Sequence, residues 1–170
     1  KFYSMKKIFF FSLLCISFSM LLSSCSGDDE ELPNLGNFTV DGATYQINKG
    51  NLKGYKSTAA NQSNNYTFDF ASEQGNTVRT VRLSISFPFN TMMNGEYKIT
   101  GSSRQLDPWL SQYTETTGKH TDTYNNLITG LCTVARIGEN NFKVKFQMQT
   151  TSGPEIKGEF EGDVKIQEIE

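Results

Sequence analysis

A chain of 170 residues, 36% of them hydrophobic and with a formal charge of −2, is long enough for one domain with a core of its own. It lacks the clustered lysine and arginine with which nucleic-acid-binding proteins neutralise phosphates. One histidine and three cysteines cannot build a His-rich or Cys-rich zinc site, and no glycine-rich phosphate loop joins a strand to a helix, so neither a metal nor a cofactor is expected.

Lys6 and Lys7 form a positively charged region, and an apolar run of 15 residues, 8–22, follows with Phe9, Phe10 and Phe11 in succession. That order of charge and apolar core is a signal peptide. A helix crossing the hydrocarbon needs roughly 20 apolar residues, and here Ser23, Ser24 and then Asp28, Asp29, Glu30 and Glu31 stop the run short.

Leu22, Ser23, Ser24 and Cys25 resemble the lipobox of bacterial lipoproteins. The resemblance implies that residues 1–24 are removed, that the Cys25 thiol carries a diacylglyceryl group, and that the protein is held to a membrane there. Each buried methylene contributes about 0.8 kcal/mol, so two or three acyl chains hold where one does not. Ser26 and Gly27 with the four acidic residues that follow resemble the tether of Bacteroidota lipoproteins sent to the cell surface. They imply an outer-membrane protein on that surface, with the periplasmic face as the alternative. The same carboxylates lack the spaced ligands and the glycine of a calcium loop. Residues 25–36 are expected to be a flexible acidic tether and residues 37–170 a single all-β domain. Cleavage leaves 13 basic against 18 acidic residues, a formal −5.

Beyond the tether, two-residue alternation recurs between glycine, asparagine and proline, the pattern of antiparallel strands with one buried face. Phe38 and Val40 run into Asp41 and Gly42, a hairpin turn signal, with Tyr45 and Ile47 on the return. Tyr66, Phe68 and Phe70 alternate with Thr67 and Asp69, the chain turns near Gly75, and Val81, Leu83, Ile85 and Phe87 alternate on the way back. Pro88 ends that strand because it cannot donate to a ladder. Asn94 and Gly95 introduce another strand with Tyr97 and Ile99 on one face.

From residue 102 to 126 the pattern fades into a polar, threonine-rich stretch in which Asp107, Pro108, Trp109 and Leu110 fit a short helical turn. So long a segment without periodicity is expected to be a functional or disordered loop. Order returns over residues 127–137. Phe142, Val144, Phe146 and Met148 then alternate with Lys143, Lys145, Gln147 and Gln149. In the last segment Ile156, Phe160, Val164 and Ile166 keep one parity, with Gly158 and Gly162 on the same face, where a bend or bulge is expected. The total is about eight or nine strands, a mainly β fold of the antiparallel β-sandwich or small lipocalin-like barrel type.

The layout resembles small all-β lipoproteins of the Bacteroidota whose families have no assigned function. Phe38, Thr39, Val40, Asp41 and Gly42 followed by Tyr45 carry the likeness at one end, and Ile156, Gly158, Phe160 and Gly162 at the other. It implies fold and location and carries over no catalytic residue.

Chemistry finds little support. Glu159 and Glu161 stand on one strand face with side chains roughly 7 Å apart, near the range for a glycosidase acid and base. Such pairs also occur on any solvated face, with Lys157 and Lys165 here to balance them. Cys132 is the one unmodified thiol after processing, so no internal disulfide is expected. It reads as a small buried hydrophobe, and a Cys132–His120 nucleophile pair is not expected. No Gly-x-Ser-x-Gly occurs, and no catalytic residue is assigned.

The remaining candidates are Trp109, Tyr113 and Tyr124, aromatic faces in a hydroxyl-rich stretch suited to stacking on sugar rings or to a protein interface. The leading expectation is a non-catalytic lipoprotein that binds a glycan or another envelope protein through that stretch. The alternatives are a lipocalin-like carrier of an apolar molecule, which requires an internal cavity, and an envelope hydrolase.

Overall fold

The computed structural model describes residues 32–169. The segments expected to be signal peptide and lipobox, with Cys25, and the acidic residues of the expected tether lie outside them. Pro33–Glu170 forms one compact unit with a continuous hydrophobic core, the mark of a segment that folds by itself. The fold begins a little before residue 37. Leu35 already packs on the core, its amide donates to the Ile47 carbonyl at 2.9 Å, and its carbonyl accepts from Glu161 N at 2.8 Å.

The described residues form thirteen strands and no helix. They are β1 (Gly36–Val40), β2 (Ala43–Gln46), β3 (Lys49–Tyr55), β4 (Ser63–Gln74), β5 (Thr77–Pro88), β6 (Gly95–Lys98) and β7 (Gln105–Leu106). The chain continues with β8 (Gln112–Thr117), β9 (His120–Tyr124), β10 (Leu127–Arg136), β11 (Asn141–Thr150), β12 (Glu155–Asp163) and β13 (Lys165–Ile169). The strands add to the order β13-β3-β4-β5-β7-β6-β10-β11-β12-β1-β2, and β8 branches from β5 and carries β9.

This all-β class is the one expected, but the strands outnumber the eight or nine that alternation reveals, for two physical reasons. Residues 102–126 are not a structureless loop. They hold β7, β8 and β9, and the β8–β9 hairpin pairs threonine with threonine (Thr114 with Thr123, Thr116 with Thr121), which leaves little apolar contrast to read. The second reason is that β3 turns glycine inward on either side of Leu52. A Cβ on Gly50 would sit 2.7 Å from the Phe160 ring and one on Gly54 2.0 Å from the Tyr66 ring, so neighbouring aromatics fill the space that side chains of β3 leave.

The elements with clear alternation form as patterned. The β4–β5 hairpin pairs Phe68 with Leu83 and Phe70 with Val81, all four buried. The turn between β1 and β2 places Asp41 at φ 47° and Gly42 at φ 87°. This left-handed pair is the geometry that matches a two-residue hairpin to strand twist. In β11, Phe142, Val144, Phe146 and Met148 are buried while Lys143, Lys145 and Gln147 are exposed. Gly158 is not a bulge, since β12 keeps unbroken register with both β1 and β11. A Cβ there would lie 2.6 Å from the Phe146 ring and 2.7 Å from the Asn37 carbonyl, so glycine permits a close approach of strands. The register break lies instead in β10, between Leu127 and Thr129.

The links between strands show that the sheet curls. β12 and β13 stand near opposite ends of the strand order, yet only Val164 separates them in sequence. β2 and β3 likewise stand near opposite ends and are joined by Ile47 and Asn48 alone. Links of one and two residues span only about 7 to 11 Å, so the two ends lie side by side and the sheet forms an open, barrel-like curl. Aromatic rings fill it. Phe70 stacks on Phe160 with centroids 4.5 Å apart and on Phe146 at 5.9 Å, and Phe68 meets Phe142 edge-on at 5.5 Å. Each such ring pair contributes about 0.5–1.5 kcal/mol beyond the area it buries.

Candidate functional site

Trp109 stands on the turn between β7 and β8, and the sequence accounts for how that turn is held. Asp107 caps it, its Oδ1 accepting from the amides of Trp109 at 2.8 Å and Leu110 at 2.9 Å. Pro108, with its backbone angle preset, starts the bend. The Ser111 amide donates to the Asp107 carbonyl at 3.1 Å, the one-turn helical closure that residues 107–110 suggest. Three bonds then tie the turn to the sheet. Asp107 N donates to Ser84 O at 2.8 Å, Ser84 N donates to the hydroxyl of the buried Ser111 at 3.0 Å, and Leu127 N donates to Pro108 O at 2.9 Å.

The result is a rigid mount for exposed apolar groups. Trp109 is 71% exposed and Leu110 61%, and Ile128, next to the Leu127 that bonds the turn, is 59% exposed.

The other two candidates are placed differently. Tyr113 belongs to the core: it is 1% exposed, faces Val81 across the β5–β8 ladder, and meets Phe38 edge-on at 6.4 Å. Its hydroxyl donates to Glu115 Oε2 at 2.9 Å, and Glu115 in turn accepts two hydrogen bonds from Arg79, at 2.9 and 3.1 Å. Burial, reinforced by the bond to Glu115, pushes the Tyr113 hydroxyl well above the usual phenol range. Tyr124 is half-buried, stacks on Tyr113 at 5.9 Å, and lies where a Cβ on Gly153 would strike it. The tyrosines are thus a structural pair that fastens the β8–β9 hairpin to the curl, and only Trp109 offers its face to solvent.

Chemistry-bearing side chains are dispersed. Cys132 is fully buried in β10, and burial pushes its thiol up to about 12. His120 has a 79% exposed side chain at the turn end of β9, where it hydrogen-bonds Asp122, so it cannot serve the Cys132 thiol as a base. Glu159 and Glu161 are exposed and face lysines on β11 rather than Lys157 and Lys165. Lys145 reaches Glu159 at 3.6 Å and Lys143 reaches Glu161 at 2.5 Å. Among the described residues, no three His, Cys, Asp or Glu side chains gather where they could hold a metal ion.

One concavity escapes any reading of sequence. A cleft of about 300 Å³ lies beside the far end of the β4–β5 hairpin, with Phe87, Tyr66, Met92, Met93, Lys56 and Arg136 among its walls. Its residues come from β4, β5, β10, the segment after β3 and the loop before β6, too far apart in sequence to form a motif. Only Met92 of the β5–β6 loop, at 79% exposure, hints at it. No protein-family model, no curated protein and no solved structure matches this chain.

Proposed function

We propose that the protein is a lipoprotein anchored through Cys25 to the outer membrane, surface-exposed, with a non-catalytic binding role in which the Trp109 turn is the contact for a glycan or another envelope protein. The observation that carries this reading is the exposure of Trp109 on a turn braced by the Asp107 cap and three bonds to the sheet. A core protein gains nothing by presenting its single tryptophan to water, whereas a rigid aromatic face loses little entropy on binding. The packed rings of the interior favour this surface contact over an internal carrier cavity. The dispersal of Cys132, His120 and the glutamates gives a hydrolase no constellation to build on.

The test follows Trp109 emission while the Pro33–Glu170 unit is titrated with a glycan panel and, separately, with outer-membrane proteins of the producing cell. A saturable shift with one ligand, and loss of that ligand's binding measured by calorimetry in Trp109→Ala, supports the assignment. Binding that survives Trp109→Ala overturns it. Tyr113→Ala is no substitute, because it would disturb the core.

A further inference from the structure

We infer that the cleft beside Phe87 is a second, separate binding site, for a small molecule that joins one anionic group to a flat apolar body. Its volume of about 300 Å³ is at the lower end of the range of small-molecule sites, roughly 300–1,000 Å³. The floor is apolar, with the Phe87 ring stacked on Tyr66 at a centroid separation of 5.8 Å. Met92 and Met93 form a wall, and methionine adapts its shape to a flat partner.

The charge of the cleft is one-sided. Among the described residues Lys56 and Arg136 line it and no carboxylate does. Most other cations near the sheet are matched, as in Lys49–Glu73, Arg79–Glu115, Arg82–Asp69, Lys98–Glu96 and Lys143–Glu161, but neither Lys56 nor Arg136 enters an ion pair among the described residues. Arg136 is held by its Nε and Nη2, which donate to the carbonyls of Gly138 and Glu139. Among the described residues its Nη1 has no such partner, which leaves N–H donors for an anion. Arg104 adds a third positive charge behind the floor, its guanidinium 5.8 Å from the Phe87 ring centroid.

The site is also braced in advance. The buried Asn64 accepts from Ser57 N at 2.9 Å and donates to Pro88 O at 3.2 Å. Thr91 donates its hydroxyl to Pro88 O at 2.7 Å, and Asn94 Oδ1 accepts from Arg136 N at 3.0 Å. The Tyr97 hydroxyl donates to the Met93 carbonyl. The walls therefore need little ordering when a ligand enters, and preorganisation of that kind raises affinity.

The probe is 8-anilinonaphthalene-1-sulfonate, one sulfonate on a flat aromatic body, titrated into the Pro33–Glu170 unit and followed by its own fluorescence. The expected result is one saturable site whose affinity falls about tenfold in Lys56→Gln/Arg136→Gln, as loss of a charge-assisted contact implies. Affinity is also expected to fall as salt rises from roughly 50 to 500 mM. N-phenyl-1-naphthylamine, the same body without the sulfonate, is expected to bind at least about tenfold more weakly. Met92→Glu, at an exposed position that the fold does not need, brings a negative charge to the wall and is expected to weaken the sulfonate by a similar factor. Trp109→Ala is expected to change nothing here, which separates this site from the Trp109 contact. With folding of each variant checked by circular dichroism, absence of a saturable site overturns the inference. So does affinity unchanged from the wild type in both cleft variants, or equal binding of the neutral probe.

Discussion

At the scale of single residues, several side chains make opposite demands on stability. Thr150 is buried, and its hydroxyl finds no hydrogen-bond partner among the described residues, as is also true of Ser72. A buried hydroxyl without a partner costs about 1–3 kcal/mol, so Thr150→Val, which keeps the shape and removes the oxygen, is expected to raise unfolding free energy by about 1 kcal/mol in urea titration. Gly54 makes the reverse case. With the Tyr66 ring 2.0 Å from where a Cβ would stand, Gly54→Ala overpacks the curl and is expected to cost about 1–3 kcal/mol. Gly50 and Gly54 also explain why β3 is hard to see in sequence. Apolar alternation marks where side chains are, whereas at these two positions the buried surface belongs to the residue opposite.

Among the elements, the Trp109 turn and the β8–β9 hairpin are neighbours in sequence, and the fold gives them different parts, Trp109 exposed and Tyr113 buried in the core. Asp107→Ala removes the cap of the turn. It is expected to cost about 1 kcal/mol and to alter Trp109 emission by loosening the mount, which steady-state anisotropy would detect. Tyr113→Ala is expected to cost about 3–5 kcal/mol, seen as a large fall in thermal midpoint, because the ring is core and not contact surface. Trp109 was legible as a candidate because tryptophan in a hydroxyl-rich segment is conspicuous. The burial of Tyr113 was not, since its strand neighbours Gln112 and Thr114 look alike from either face and its ring partner Phe38 lies 75 positions earlier.

At the largest scale the described residues form an open curl filled by rings and held by two short links, and its response to alkali follows from what the curl buries. Burial pushes the Cys132 thiol and the Tyr97 hydroxyl each up to about 12, and it raises Tyr113 further with help from Glu115. All three are acids held protonated by the fold. Their raised values add stability that is complete below the unfolded values, near 8.5 for cysteine and 10 for tyrosine, and that is lost as pH climbs through the folded ones. The denaturation midpoint is expected to decline from about pH 8.5 upward. In Cys132→Ala the onset of that decline is expected to move toward pH 10, where tyrosine ionisation begins.

Phe38 to Tyr45, the β4–β5 hairpin and the alternating face of β11 were determined by local sequence. Apolar period two and turn residues act between neighbours, and a half-buried strand leaves no other arrangement of its side chains. The all-β class followed from the same pattern. Tertiary structure alone decided that β13 pairs in parallel with β3, that the ends of the sheet meet, that Tyr113 belongs to the core, and that Lys56, Phe87, Met92 and Arg136 share a cleft. These are relations between distant segments, set by which faces the curl brings together, and no local preference encodes them.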